Sequence, residues 1–217
     1  MAQVAVIGLG KFGFHTAKLL HEARHEVLAI DIDANNVNLI ADFTSRAVVL
    51  DARDKERLEA LGIRDFDVVI VSLGERIDTS ALVSLHLKEI GVKRLITKAG
   101  SDDHRKLLEL IRVDEVIFPE REVAEHLARR LSSPNLLEFI NLGDDYGIQE
   151  IAPPDPFIGK TLQALELPQR MGVQVLAIRD ALTHAVRVNP GADFVIKESD
   201  SLLLLGRNQD LAKIRRS

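Results

Sequence analysis

Three glycines near the start of the chain, in Gly8-Leu9-Gly10-Lys11-Phe12-Gly13, are spaced as G-x-G-x-x-G. The chemistry of such a run belongs to the backbone. The first glycine permits a tight turn, the second lets a pyrophosphate approach the main chain, and the third lets a helix pack on a strand. Phosphate oxygens would sit on the N–H groups that open the helix, where the dipole is positive. Here the apolar run Val4-Ala5-Val6-Ile7 leads into the triplet, and a second run, Val27-Leu28-Ala29-Ile30, ends on Asp31 beside Ile32. A carboxylate at that strand end accepts hydrogen bonds from ribose hydroxyls and repels a 2′-phosphate, which disfavours NADP. The plainer alternative is a structural turn without a ligand.

Four more strand ends are expected on the same carboxyl edge, where open α/β sheets bind ligands. They are Asp51-Ala52, Ser72-Leu73-Gly74, Lys98-Ala99 and Pro119-Glu120. Asp51 and Ser72 would line the adenosine side. Lys98 and Glu120 would reach the phosphates, directly or through a cation. Each also has a structural reading: Asp51 as a loop cap, Lys98 as a solvated strand end, Glu120 as a first-turn helix acid.

The elements that must carry these residues follow from the hydrophobic rhythm. Ala47 to Leu50, Val68 to Val71, Leu95 to Thr97 and Val116 to Phe118 join the first two runs as continuous apolar strands, the pattern of a parallel sheet covered on both faces. Amphipathic stretches between them include Thr16 to Ala23 and Thr79 to Ile90, the latter with Leu82, Leu85 and Ile90 near one face. The expected fold is α/β: a doubly wound Rossmann sheet, then a helix opened by Pro119 and running to Leu131. Ser132-Ser133-Pro134-Asn135 reads as a linker, which places the domains at 1–133 and 134–217. Beyond it, Leu136 to Leu142, Tyr146 to Ile151, Val173 to Ile178, His184 to Val188 and Ser201 to Leu205 read as strands of a smaller, mostly antiparallel α+β domain.

Composition narrows the function classes. A net charge of −5 offers no broad basic footprint for nucleic acid, and Lys213, Arg215 and Arg216 make only a short basic tail. The absence of cysteine excludes disulfides, Cys-ligated zinc and thiol nucleophiles. No signal peptide is expected, and no aliphatic run nears the ~20 residues of a membrane helix, so a partner would supply any membrane part.

A dehydrogenase needs a proton donor or base beside the hydride acceptor. Tyr146 is the only tyrosine and no Tyr-x-x-x-Lys pair follows it; His184 stands alone in the second domain. There is no Walker-type Gly-Lys-Ser/Thr run. The site is expected to hold a nucleotide without catalysis. An NAD-dependent oxidoreductase or redox sensor is the alternative. A DNA-binding redox regulator would need a helix-turn-helix or a basic face.

With these residues in place, the chain resembles the RCK (regulator of potassium conductance) family of Ktr/Trk regulatory proteins over nearly its whole length. The resemblance is carried by Val6 to Gly13, His25 to Asp31, Leu61 to Val71, Phe118-Pro119-Glu120 and Gly172 to Arg179. The length is similar to the single-unit Ktr type. The resemblance implies a cytoplasmic protein, peripheral on the inner face of the plasma membrane, whose dimers assemble into an octameric ring on a potassium channel or transporter subunit. It implies that ATP and ADP compete for the Rossmann domain and bias the pore, with NAD(H) as a further ligand and no nucleic-acid partner. The helix after Pro119 resembles one that crosses over between neighbouring subunits.

The resemblance makes Gly8, Gly10, Gly13 and Asp31 the phosphate turn and ribose acid. Lys98 becomes a pocket base, and Glu120 an acid reaching the phosphates through a divalent or monovalent cation. Lys11 stands where an arginine is common; it keeps the charge but lacks the planar fork. The second domain resembles the module that in some members binds cyclic di-AMP, with Ile178, Arg179, Asn189 and Pro190 at the matching positions. A surface arginine and a turn proline explain these residues equally well.

Overall fold

The continuous apolar strands become the middle layer of a three-layer unit. The computed structural model describes residues 1–74, 76–132, 135–143 and 145–214. Strands β1 (Gln3–Ile7), β2 (Glu26–Asp31), β3 (Arg46–Val49), β4 (Val68–Val71), β5 (Leu95–Lys98) and β6 (Glu115–Ile117) form a sheet in the order β3-β2-β1-β4-β5-β6. Every pairing is parallel, with Ile7 opposite Ile30 on one side and Val71 on the other. Successive residues feed opposite cores. Ala5, Ile7, Leu28, Ile30, Val69 and Val71 pack on one face, and Val4, Val6, Val27, Ala29 and Ile70 on the other. That is why these strands read as unbroken apolar runs.

The layers are α1 (Lys11–Glu22), α2 (Ala34–Ile40), α3 (Lys55–Ala60), α4 (Ile77–Ile90) and α5 (Asp102–Leu110). Asp33, Asp54 and Ser101 cap α2, α3 and α5 through side-chain bonds to backbone N–H groups. Helix α1 starts at Lys11, earlier than the amphipathic pattern from Thr16, because the glycine turn delivers the chain straight into it. The face expected for α4 is corrected. Leu82 and Leu85 are 40% and 43% exposed, while Ser80, Val83, Ser84, Leu87 and Ile90 are buried. The small serines bring the helix close to the sheet, and Ser84 shares a 3.2 Å hydrogen bond with Thr97 on β5.

The chain divides into two units, Met1–Glu120 and Arg121–Ser217. The division falls in the first turn of α6 (Pro119–Leu131), ahead of the boundary read from the linker. Helix α6 groups with the second unit, where His126 Nε2 lies 3.3 Å from Glu138 Oε1. Of the expected linker, Ser133 and Pro134 lie outside the described residues, as do Arg215 and Arg216 of the basic tail.

The second unit is an antiparallel sheet of β7 (Leu136–Asn141), β8 (Tyr146–Ile151), β9 (Val173–Asp180), β10 (Val186–Val188) and β11 (Asp200–Arg207), in the order β10-β9-β11-β8-β7. Short helices α7 (Leu162–Leu165), α8 (Leu167–Met171) and α9 (Asn208–Ile214) accompany it. Leu167, Leu202, Leu204 and Leu211 belong to its core. His184 is not in a strand, contrary to the sequence reading. It turns at φ 57°, donating its N–H to Asp180 O, while the Asp180 carboxylate takes the N–H groups of Leu182 and Thr183. That side-chain turn ends β9 before β10 can begin.

Candidate nucleotide-binding site

The glycine turn lies at the end of β1, beside β4, where the strand order reverses. Gly8 has φ 92°, and a Cβ there would meet Ser72 O at 2.6 Å. A Cβ on Gly13 would meet Gly8 O at 1.9 Å. Both glycines are therefore demanded by main-chain contact. Gly10 differs: it caps α1 in extended geometry, and a Cβ on it would have nothing among the described residues within 4 Å.

Asp31 ties the turn down. Its Oδ2 accepts the Leu9 N–H at 2.6 Å and its Oδ1 accepts the Asp33 N–H at 2.8 Å, with Asn36 Nδ2 3.4 Å from Oδ2. A carboxylate has about four acceptor positions, so one remains for a ribose hydroxyl.

In front of the turn opens a cavity of about 630 Å³ lined by Gly10, Lys11, Phe12, His15, Ser72, Leu73, Gly74, Arg76, Lys98 and Glu120. Beside it is a slot of about 40 Å³ lined by Ile7, Gly8, Asp31, Ile32, Leu50, Asp51, Ala52, Arg53, Leu73, Arg76 and Thr79. The candidate residues read from the strand ends thus fall into two neighbouring spaces. Ser72, Leu73, Gly74, Lys98 and Glu120 join the glycine turn, and Asp51, Ala52 and Ile32 join Asp31.

Lys98 is the most enclosed charge in the larger space. Its side chain is 14% exposed, its stem lies along Gly74, its ammonium sits 5.8 Å from the Phe12 ring centroid, and it pairs with Glu120. That hydrogen bond holds the Glu120 carboxyl below the ordinary range. Among the described residues, Lys11, Arg76 and Lys98 outnumber Glu120 at this end, which suits polyphosphate. At the other end, Asp51 is held down at about 2 by hydrogen bonds from the Arg53 guanidinium and backbone N–H.

Sequence reasoning missed His15, Arg53, Arg76 and Thr79. His15 stands one helical turn from Lys11 and so shares its face. Arg76, just before α4, lines both spaces.

The four second-ligand candidates sit on neighbouring strands, Ile178 and Arg179 on β9 and Asn189-Pro190 just past its partner β10, but Ile178 and Pro190 line different cavities. Ile178 is buried and lines a cavity of about 280 Å³ with Arg187 and Phe194. Pro190 lines another of about 380 Å³ with Gln163 and Gln174. Arg179 is 3.4 Å from Glu150, and Asn189 turns at φ 48° with its N–H on Leu176 O. Among the described residues no group of three or more His, Cys, Asp or Glu could hold a metal, and no helix is long and apolar enough to cross a membrane.

A Rossmann sheet with its glycine turn at the switch point, followed by a small antiparallel domain, is the architecture of RCK domains. The GsuK RCK domain superposes with a TM-score of 0.67 at 19% identity, covering 99% of this chain and 47% of the solved one. A structure described as the GsuK channel bound to NAD gives 0.67 at 19% identity, covering 98% and 38%. This chain therefore spans less than half of each solved chain.

Residues 4–119 match the TrkA-N domain and residues 150–217 the TrkA-C domain, and the chain belongs to this family of Ktr/Trk-type potassium uptake regulatory proteins. It is 38% identical over 214 residues to the Ktr system potassium uptake protein C of Bacillus subtilis (strain 168), covering 99% of this chain and 96% of that one.

Proposed function

We propose that the chain is the nucleotide-binding regulatory subunit of a membrane potassium channel or transporter, with ATP and ADP exchanging in the Rossmann cavity and biasing the partner's pore. The observation that carries this reading is the cavity itself: among the described residues, three cations and one acid face a glycine turn that Asp31 holds in shape. The kinship with potassium uptake proteins supplies the partner class. The chain acts from the cytoplasmic side, as dimers in an octameric ring, and it is not an enzyme. NAD(H) is the further ligand, in keeping with the NAD-bound relative in fold.

A ligand shifts a conformational equilibrium only through its differential affinity for the two states. The γ-phosphate is the difference between ATP and ADP. Lys11, Lys98 and Glu120 read it, Glu120 through a divalent or monovalent cation shared with the phosphates. Lysine at position 11 makes this a point-charge contact in place of a bidentate one. A cyclic di-AMP site would draw on Ile178, Arg179, Asn189 and Pro190, which neighbouring strands β9 and β10 bring to one edge of the sheet, and would be completed between two copies.

Calorimetric titration with ATP, ADP, NADH and NADPH in parallel tests the proposal. ATP and ADP bind, NADPH is excluded by Asp31, and Asp31→Ala weakens every adenine nucleotide by roughly tenfold or more through lost hydrogen bonds to a charged acceptor. Oxidation of NADH by the chain, or unchanged binding in the variant, would sink it.

A further inference from the structure

The wall that carries Lys98 is held from behind. Lys98 ends β5, and its stem lies along Gly74, with Cε, Cδ and Cγ 3.5, 3.6 and 3.7 Å from where a Cβ on Gly74 would stand. Gly100, two residues on, packs main chain to main chain on Gly74, so closely that a Cβ on Gly100 would collide with Gly74 O. Behind Gly100 stands His104, in the first turn of α5 and fully buried. The start of this helix is tied reciprocally. Ser101 Oγ accepts the His104 N–H at 3.1 Å, and His104 Nδ1 accepts the Gly100 N–H at 3.2 Å. It is a capping box with an imidazole in place of the usual glutamate or glutamine, reaching one residue further back. A ring nitrogen that accepts a hydrogen bond carries no proton, so the neutral ring holds its proton on Nε2, which finds no acceptor among the described residues. An apolar side chain would fill the same space without burying an unmet N–H. What the imidazole adds is one bond, to Gly100.

Resting on the nucleotide-binding reading above, we propose that His104 is a positioning residue for the phosphate end of the cavity. It touches no ligand, and it sets where the Lys98 ammonium stands by fixing the contact between Gly100 and Gly74. The chain of contacts runs from His104 through Gly100 and Gly74 to Lys98. Without the bond to His104, Gly100 is free to turn, as glycine readily does. Gly74 then loses its backing, and the ammonium drifts from the place where it meets phosphate.

The test titrates the full chain, His104→Leu, His104→Asn and Leu108→Val with ATP and with inorganic tripolyphosphate, below every melting temperature. His104→Leu weakens both ligands by about fivefold or more, part of the worth of one charge-assisted contact. His104→Asn binds both within about twofold of the unaltered chain, because its Oδ1 lies as many bonds from the backbone as Nδ1 and accepts the Gly100 N–H. Leu108 is fully buried on the same helix. Leu108→Val lowers the melt by loosening that packing and leaves both affinities in place. The assignment is overturned if His104→Leu binds tripolyphosphate as the unaltered chain does, if His104→Asn does not rescue, or if Leu108→Val costs as much affinity. Should the leucine variant melt too low to titrate, His104→Met, an adaptable apolar side chain, carries the same expectation. Failure of both to fold makes His104 a requirement of the fold and overturns the assignment as well. An unaltered chain that binds neither ATP nor tripolyphosphate overturns the nucleotide reading itself, and is distinguishable because it precedes any substitution.

Discussion

Gly10→Ala separates the fold from its proposed ligand. Gly10 sits at φ −62° and ψ −175°, extended backbone open to any residue, and among the described residues no heavy atom outside its chain neighbours lies within 4 Å of an added Cβ. The substitution trades a slightly poorer helix cap for a less flexible unfolded chain, and the two effects offset within about 1 kcal/mol. The new methyl group stands in the cavity that Gly10 lines, where the phosphates must approach the helix start. Losing even one charge-assisted N–H contact costs about 1.5–3 kcal/mol, or roughly 10- to 100-fold in ATP affinity. The assay is a thermal melt paired with calorimetry. An unaltered melt with lost ATP binding is expected. ATP affinity within threefold of the parent chain would refute the placement of phosphate at this turn. Gly13→Ala is the contrasting control: its Cβ collides with a main-chain oxygen at 1.9 Å, and the melt itself suffers.

Two further predictions concern pH. The Glu120 carboxyl is held low by Lys98, so the pair contributes stability above the unfolded carboxylate range, and this is lost as pH falls through the lower folded value. Glu120→Gln is expected to lower stability by under about 1 kcal/mol at neutral pH, with the two melting curves converging in acid. His104 is fully buried, accepts the Gly100 N–H at Nδ1 and leaves Nε2 without a partner among the described residues. Burial lowers its pKa, so the unfolded chain binds its proton first and stability falls as pH drops below about 6.5. His104→Gln keeps an acceptor for Gly100 and should flatten that part of a pH series of urea unfolding curves.

Much of the fold was legible because period and chemistry agreed. Unbroken apolar runs ending in Gly8, Asp31 and Lys98 can only be strands covered on both faces and opening onto one edge. Reading strand ends placed Lys98 and Glu120 in one space and Asp51 beside Asp31. It passed over Arg76 and Arg53, which come from loops beyond those ends and reach back with long side chains. The α4 face was misread because leucines were weighed above serines, whereas Ser80 and Ser84 set how closely the helix approaches. His184 was taken for strand because apolar neighbours hid the turn that Asp180 makes with its own backbone.

The bonds from Asp31 to Leu9 and Asp33 have a kinetic consequence. A turn already in its bound shape needs no folding step on arrival and no unfolding step on departure. The residence time of a nucleotide would then be set by how quickly its phosphates escape Lys11, Arg76 and Lys98, shortening as ionic strength rises and as the number of phosphates falls. On the proposed reading, a subunit built this way would follow changes in the ratio of its competing ligands as fast as the slower one dissociates.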